Sequence, residues 1–159
     1  MNLFGLMQTS GSAMEAERMR AEVVAANMAN AETTRTESGG PYRRQEVVFA
    51  ARPGDPHFLD SMSAAVGADG LPRIVNGLTS GVAPGVEIAQ VVEDPTPPLK
   101  RYDPGHPDAG PDGYVSYPDI NPVTEMVDLM GATRAYGLNG SAVQAEKTMI
   151  SSALSIAQS

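Results

Sequence analysis

Apolar residues recur at helical spacing near the end of the chain, at Met126, Leu129, Tyr136, Val143, Ile150 and Leu154. Steps of three, four and seven predict an amphipathic helix. The run continues to Ala157 without another proline. Asn121 suits the N-cap and Pro122 the first helical position, where its missing N–H would have no partner anyway. Glu125 and Asp128 fall in the first turns, where the helix dipole favours negative charge. At ~1.5 Å per residue this helix is roughly 54 Å long, and it needs a long partner.

That partner stands at the other end. Between Leu3 and Asn30 there is no proline, and Met7, Met14, Ala21 and Met28 fall at strict steps of seven. Leu3, Val24 and Ala31 lie on a neighbouring seam that Ser10 and Glu17 interrupt, while Glu15, Arg18 and Glu22 occupy another side. Heptad spacing suits packing against a second long helix. Alanine and serine fill many positions, so each turn buries little area.

The centre has a different rhythm. Tyr42–Ala50 and Gly85–Glu93 read as strands, the latter with Val86, Ile88 and Val92 on one face. Shorter strands are expected at Leu99–Tyr102 and Tyr114–Tyr117, set off by turn residues at Gly39-Gly40-Pro41, Asp103–Asp108 and Asp112-Gly113. The stretch 52–85 is rich in breakers and is expected to be a mobile loop, with a short helical turn at 59–66. The fold class is therefore α+β. Long N- and C-terminal helices pair as a coiled-coil-like unit around a small β-rich, Pro/Gly-rich insertion. The expected division is 1–36, 37–118 and 119–159.

Composition sharpens this division. All 13 prolines lie between Pro41 and Pro122, whereas eight of the nine methionines lie outside that interval. The net charge of −8 is concentrated in the centre and argues against a nucleic-acid partner, which needs a basic patch. No apolar run approaches the roughly 20 residues of a membrane span, so membrane insertion is not expected. The N-terminus lacks a basic region followed by an apolar core, so a cleaved secretory signal is not expected either. With no cysteine, disulfides and thiolate chemistry are excluded.

Candidate chemistry is sparse. Asp103, His106, Asp108 and Asp112 offer carboxylates and an imidazole in one short loop, the basis for a metal-dependent enzyme as one alternative. Asp-Pro and Asp-Gly steps are ordinary loop formers, and the bland reading outweighs the metal site. His57 is treated as a solvated loop histidine. No phosphate loop, nucleophile elbow or paired helical histidines are present, so no enzyme and no cofactor are expected. The methionine stripe is either core filler or an adaptable partner surface. Two long helices with a small insertion leave apolar area uncovered, which favours burial between chains over a closed hairpin serving as a soluble adaptor.

Asn27-Met28-Ala29-Asn30-Ala31-Glu32-Thr33 resembles the Asn-x-Ala-Asn motif that ends the N-terminal helix across the rod and hook proteins of the bacterial flagellum. Asn121–Asn139, with Glu125-Met126-Val127-Asp128-Leu129 and Arg134-Ala135-Tyr136, is similar to that family's C-terminal motif. Thr33–Phe49, with Gly39-Gly40-Pro41-Tyr42-Arg43-Arg44, resembles the proximal-rod branch in particular. So does Val92–Tyr114, with Asp94-Pro95 and Asp103-Pro104-Gly105-His106-Pro107. The likeness covers both ends and most of the centre; 52–85 carries little of it. Gly137 departs from the acidic residue more common after the tyrosine. With Gly131 and Gly140 it makes three helical glycines, each costing about 1 kcal/mol relative to alanine.

The resemblance implies a subunit exported through the flagellum's type III apparatus without a cleaved signal. It implies polymerisation into the periplasm-spanning rod that transmits torque, with other rod subunits and basal-body proteins as partners. The residues expected at the assembly interface are Leu3, Met7, Met14, Val24, Met28, Met126, Leu129, Tyr136, Val143, Ile150 and Leu154. Asn27 and Asn30 of the N-terminal motif join them.

Overall fold

The computed structural model describes residues 3–52 and 85–157. Helix α1 spans Leu3–Ala29 and helix α2 spans Pro122–Ala157, the two proline-poor runs at the ends. Asn121 caps α2 as expected. Its side-chain oxygen accepts the Val123 N–H at 3.0 Å, and its carbonyl accepts the Glu125 N–H at 3.1 Å. The helices pack antiparallel: Asn27 meets Glu125, Arg20 meets Asp128, and the Met14 methyl stands over Gly140. With 27 residues α1 is about 40 Å long, and with 36 residues α2 is about 54 Å. In this register the last turns of α2 run past the start of α1, and residues 151–157 are all exposed.

Between the helices lie two separate antiparallel ribbons, completing the α+β architecture. Strand β1 (Gln45–Ala51) pairs with β2 (Val86–Glu93), and β3 (Leu99–Tyr102) with β4 (Tyr114–Tyr117). A lone two-stranded ribbon is marginal in water. The first is supported by α1, which touches both of its strands. The second rests on none of the other described elements.

Two expectations change in detail. β1 starts after Tyr42 because the Tyr42 N–H turns back to the Thr33 carbonyl at 3.0 Å instead of joining the ladder. The single apolar face expected for Val86, Ile88 and Val92 is also broken. The β1–β2 register slips between Val48 and Phe49, so Val86 and Ile88 are half-buried while Val92 is exposed. Turn glycines sit where they are needed. Gly39 and Gly40 have φ of 81° and 93°. At Gly113 (φ 75°) a β-carbon would lie 2.8 Å from the Tyr102 ring. The loop expected at 52–85, its turn at 59–66 and His57 lie outside the described residues, apart from the bracketing Arg52 and Gly85.

The buried apolar set is small: Ala16, Val23 and Val24 on α1, Ala132 on α2, and Val115 and Ile120 at and after β4. Much of what holds the helices together is polar.

Candidate assembly site

The inward seam of α2 runs through Glu125, Ala132, Asn139 and Glu146, at steps of seven. Glu125 is 1% exposed, Ala132 0% and Glu146 7%. The strict heptad keeps the seam facing its partner, and its buried side chains are mostly polar.

At one end of the seam a polar latch ties three parts of the chain together. Arg44 donates from Nε to Glu125 Oε1 at 2.6 Å, and Asn27 Nδ2 donates to Glu125 Oε2 at 3.1 Å. Asn27 Nδ2 also donates to the Gln45 carbonyl at 2.9 Å. Asn27 Oδ1 accepts the Gln45 N–H at 2.9 Å and the Tyr42 hydroxyl at 3.2 Å. One buried amide thus bridges α1, β1 and α2, with both of its ends satisfied. Arg44 further pairs with Glu46, and its Nη2 lies 3.8 Å from Asp128. Arg20 reaches the other oxygen of Asp128 at 3.3 Å. Burial alone would lower the Arg44 pKa, but the hydrogen bond and charge of Glu125, with help from Glu46, raise it above the ordinary value. Burial, and then the charges of Glu93 and Glu125, push the Tyr42 hydroxyl up.

Further along α1, the Ser12 hydroxyl accepts the Val86 N–H at 3.1 Å and so anchors the start of β2. A β-carbon on Gly85 would lie 2.7 Å from that oxygen, so a side chain there would displace the Ser12 hydroxyl. Among the described residues no donor reaches Glu146 Oε2 at the far end of the seam.

The residues expected at the interface fall into different places. Val24 and Asn27 are buried within the chain; Met7, Met14, Met28, Leu129, Val143 and Ile150 are half-buried. Asn30, also half-buried, closes α1: its Nδ2 donates to the Ala26 carbonyl at 2.9 Å and its Oδ1 accepts the Thr33 hydroxyl. Met126, Tyr136 and Leu154 are exposed. Leu3 lies in α1, with its side chain outside the described part. The six apolar residues first read as one α2 stripe are therefore split between the inward face and solvent.

Glu125 was anticipated as a dipole partner, yet it is the hub of the latch. Arg44, Tyr42 and Ser12 were not anticipated as anchors. No local spacing links Arg44 to a carboxylate 81 positions away. The loop that suggested a metal is otherwise employed. His106 Nδ1 accepts the Asp108 N–H at 3.1 Å, and Asp108 accepts the Thr34 hydroxyl at 2.8 Å and pairs with Arg35 at 3.6 Å. Those contacts fasten the loop to the exit of α1. No metal-binding group of three or more such side chains occurs among the described residues.

Comparison with known proteins places this arrangement. The model for the C-terminal region of flagellar basal body rod FlgEFG proteins matches residues 112–156, and that for the flagella basal body rod protein matches 7–35. The chain is 38% identical to the flagellar basal-body rod protein FlgC of Borreliella burgdorferi, over 99% of both chains. It is 34% identical to FlgC of Bacillus subtilis over 98% of this chain and 99% of the relative. With FlgC of Salmonella typhimurium the identity is 32% over 99% and 100%.

The chain belongs to the FlgC family.

FlgC-family chains are flagellar basal-body rod subunits, structural proteins and not enzymes. The two matched regions contain most of α1 and nearly all of α2, the helices that the latch joins. No described helix is long and apolar enough to cross a membrane.

Proposed function

We propose that this rod subunit polymerises through its terminal helices and that the polymer resists torque by buried side-chain contacts. One observation carries the reading. Beyond the face it packs on α1, α2 leaves Val123, Met126, Val127, Met130, Leu138 and Ile156 exposed. An apolar face of that extent on a soluble chain marks an interface. Val24 and Asn27, with the half-buried Met7, Met14, Met28, Asn30, Leu129, Val143 and Ile150, set the helix pair. Met126, Tyr136 and Leu154 are positioned for neighbours, and Leu3 belongs with them at the α1 terminus. Segments 1–36 and 119–159 form the assembling unit, and 37–118 makes further contacts. Other rod subunits and basal-body proteins are the partners in a periplasm-spanning rod. Export through the flagellar type III apparatus is part of the same reading and rests on family membership.

The soluble adaptor is the weaker reading. The helices do close on each other within the chain, but α2 keeps a whole face uncovered, which a self-contained hairpin has no reason to do.

The test replaces Met126, Tyr136 and Leu154 with aspartate in the full chain. The variant should remain soluble with unchanged helix content, since all three are exposed, while rods fail to form and cells do not swim. Swimming cells carrying that variant as their sole copy would overturn the proposal.

A further inference from the structure

The second ribbon is the least supported part of the fold, since β3 and β4 rest on no other described element. Among the described residues, every hydrogen bond and ion pair that leaves 99–117 passes through one side chain, Asp108. Its Oδ2 accepts the Thr34 hydroxyl at 2.8 Å, and Arg35 stands 3.6 Å from its Oδ1. Both contacts come from the exit of α1. The Arg35 side chain is 77% exposed, and water screens a pair that open, so the Thr34 hydrogen bond is the stronger of the two. Val115 in β4 and Ile120 after it are buried, but they are apolar, so that part of the packing does not titrate.

How Asp108 is presented depends on a neighbour two residues away. The His106 ring accepts the Asp108 N–H at Nδ1, 3.1 Å distant, so its own hydrogen is on Nε2 and the ring is neutral. The same turn is held by the His106 N–H, which donates to the Asp103 carbonyl at 3.3 Å, and by the Ala109 N–H, which donates to the His106 carbonyl at 3.0 Å. The ring is half-buried and meets Tyr117 of β4 edge to face, with centroids 6.2 Å apart. The ionisable and charged groups about it are Asp103, Asp108 and the exposed Asp112 of its own loop, Tyr117 with Arg101 of β3 over its ring, and Arg35 beyond Asp108.

A histidine ring takes up its second proton within the physiological range, and here that proton must go to the nitrogen that is accepting. An imidazolium has two N–H groups and no acceptor, so the Asp108 N–H then faces another donor. The turn has to open. The side chains of the loop able to take the new Nδ1–H are carboxylates, Asp108 among them, and a charge-assisted bond there competes directly with Thr34.

We propose that His106 and Asp108 form a pH-operated clasp, in which the neutral imidazole holds the second ribbon on the exit of α1 and the imidazolium lets it go. The clasp is a property of the single chain and does not rest on the polymer reading. It fixes the ribbon relative to the helix pair in neutral solution and frees it in acid.

Nuclear magnetic resonance of the full chain tests this. At about pH 8 the ring nitrogens of His106 should report the Nε2–H tautomer. On lowering the pH to about 5.5, above the ordinary carboxylate range, the Asp108 and Thr34 amide signals should move with the same midpoint as the ring. Protection of the Asp108 amide, corrected for the intrinsic effect of pH on exchange, should fall roughly two- to tenfold, the worth of one neutral hydrogen bond. A ring that carries its hydrogen on Nδ1 at the upper pH, or that titrates while Asp108 and Thr34 stay still, overturns the clasp. Two variants make the test specific. In His106→Asn the side-chain oxygen takes the place of Nδ1 and does not titrate, so the acid transition at Asp108 and Thr34 should vanish with the clasp closed. In His106→Ala the acceptor is gone, so both residues should show their acid-form signals throughout. An acid transition that survives in His106→Asn, or an alanine variant that matches the wild type at the upper pH, overturns the proposal.

Discussion

The two long helices are unequal in what surrounds them. α1 packs against α2, β1 and β2, whereas α2 touches only α1 among the described elements. Accordingly α1 contributes three of the buried apolar residues and α2 a single alanine, while the longest row of exposed apolar residues belongs to α2. A helix held on one side only, with a further row of large apolar side chains left in solvent on the other, is built for a second partner. The difference locates stability and assembly on opposite faces of α2, and changes to each face should separate them.

The latch should give the largest effect. Glu125→Ala leaves Arg44 without its buried acceptor and Asn27 with one donor contact fewer. Arg44 keeps Glu46 and Asp128, and a hydrogen bond to a charged group is worth about 1.5–3 kcal/mol, so urea denaturation followed by circular dichroism should show a loss of that order. A change below about 1 kcal/mol would mean that the helices are held without the latch. Next comes Asn27→Ala, which strands the Gln45 backbone and one oxygen of Glu125. It should cost about 2 kcal/mol in the same measurement.

Gly131→Ala and Gly137→Ala act in the opposite direction. With open space around each and helical backbone on both sides, each should stabilise the monomer by about 1 kcal/mol. Both should impair assembly, read as fewer rods per cell. Stabilisation with normal rods would show that the glycines have no assembly role. Val127→Ser on the exposed face of α2 should shift monomer stability by less than about 0.5 kcal/mol, as an exposed substitution does.

The smallest effect concerns pH. Tyr42 is held protonated in the folded chain above its ordinary range, chiefly by burial. Its contribution is therefore complete below about pH 10 and is lost as pH rises through the elevated folded value, because the native state then binds more protons than the unfolded one. Tyr42→Phe should flatten that part of an alkaline denaturation curve. An unchanged curve would assign the alkaline loss to other groups.

The family was legible because its motifs fall in the segments that build the helices and their exits. The strands were legible too, from β-branched runs between turn residues, although the slip opposite Phe49 was not. The α2 stripe misled in part, since Leu129, Val143 and Ile150 lean toward α1 whereas Met126 and Leu154 do not. Periodicity says that a helix has an apolar side; it does not say which partner that side will meet.

By itself the sequence determined where the helices begin and end, because a capping asparagine, a first-turn proline and long runs free of further proline act locally. It also determined the family and the absence of disulfides. Tertiary structure alone decided which face of α2 turns inward. Glu125 is buried because Arg44 and Asn27 converge on it from distant parts of the chain. A carboxylate leaves water only where donors replace what water supplied. Donors so far apart in sequence are brought together by packing, not by spacing.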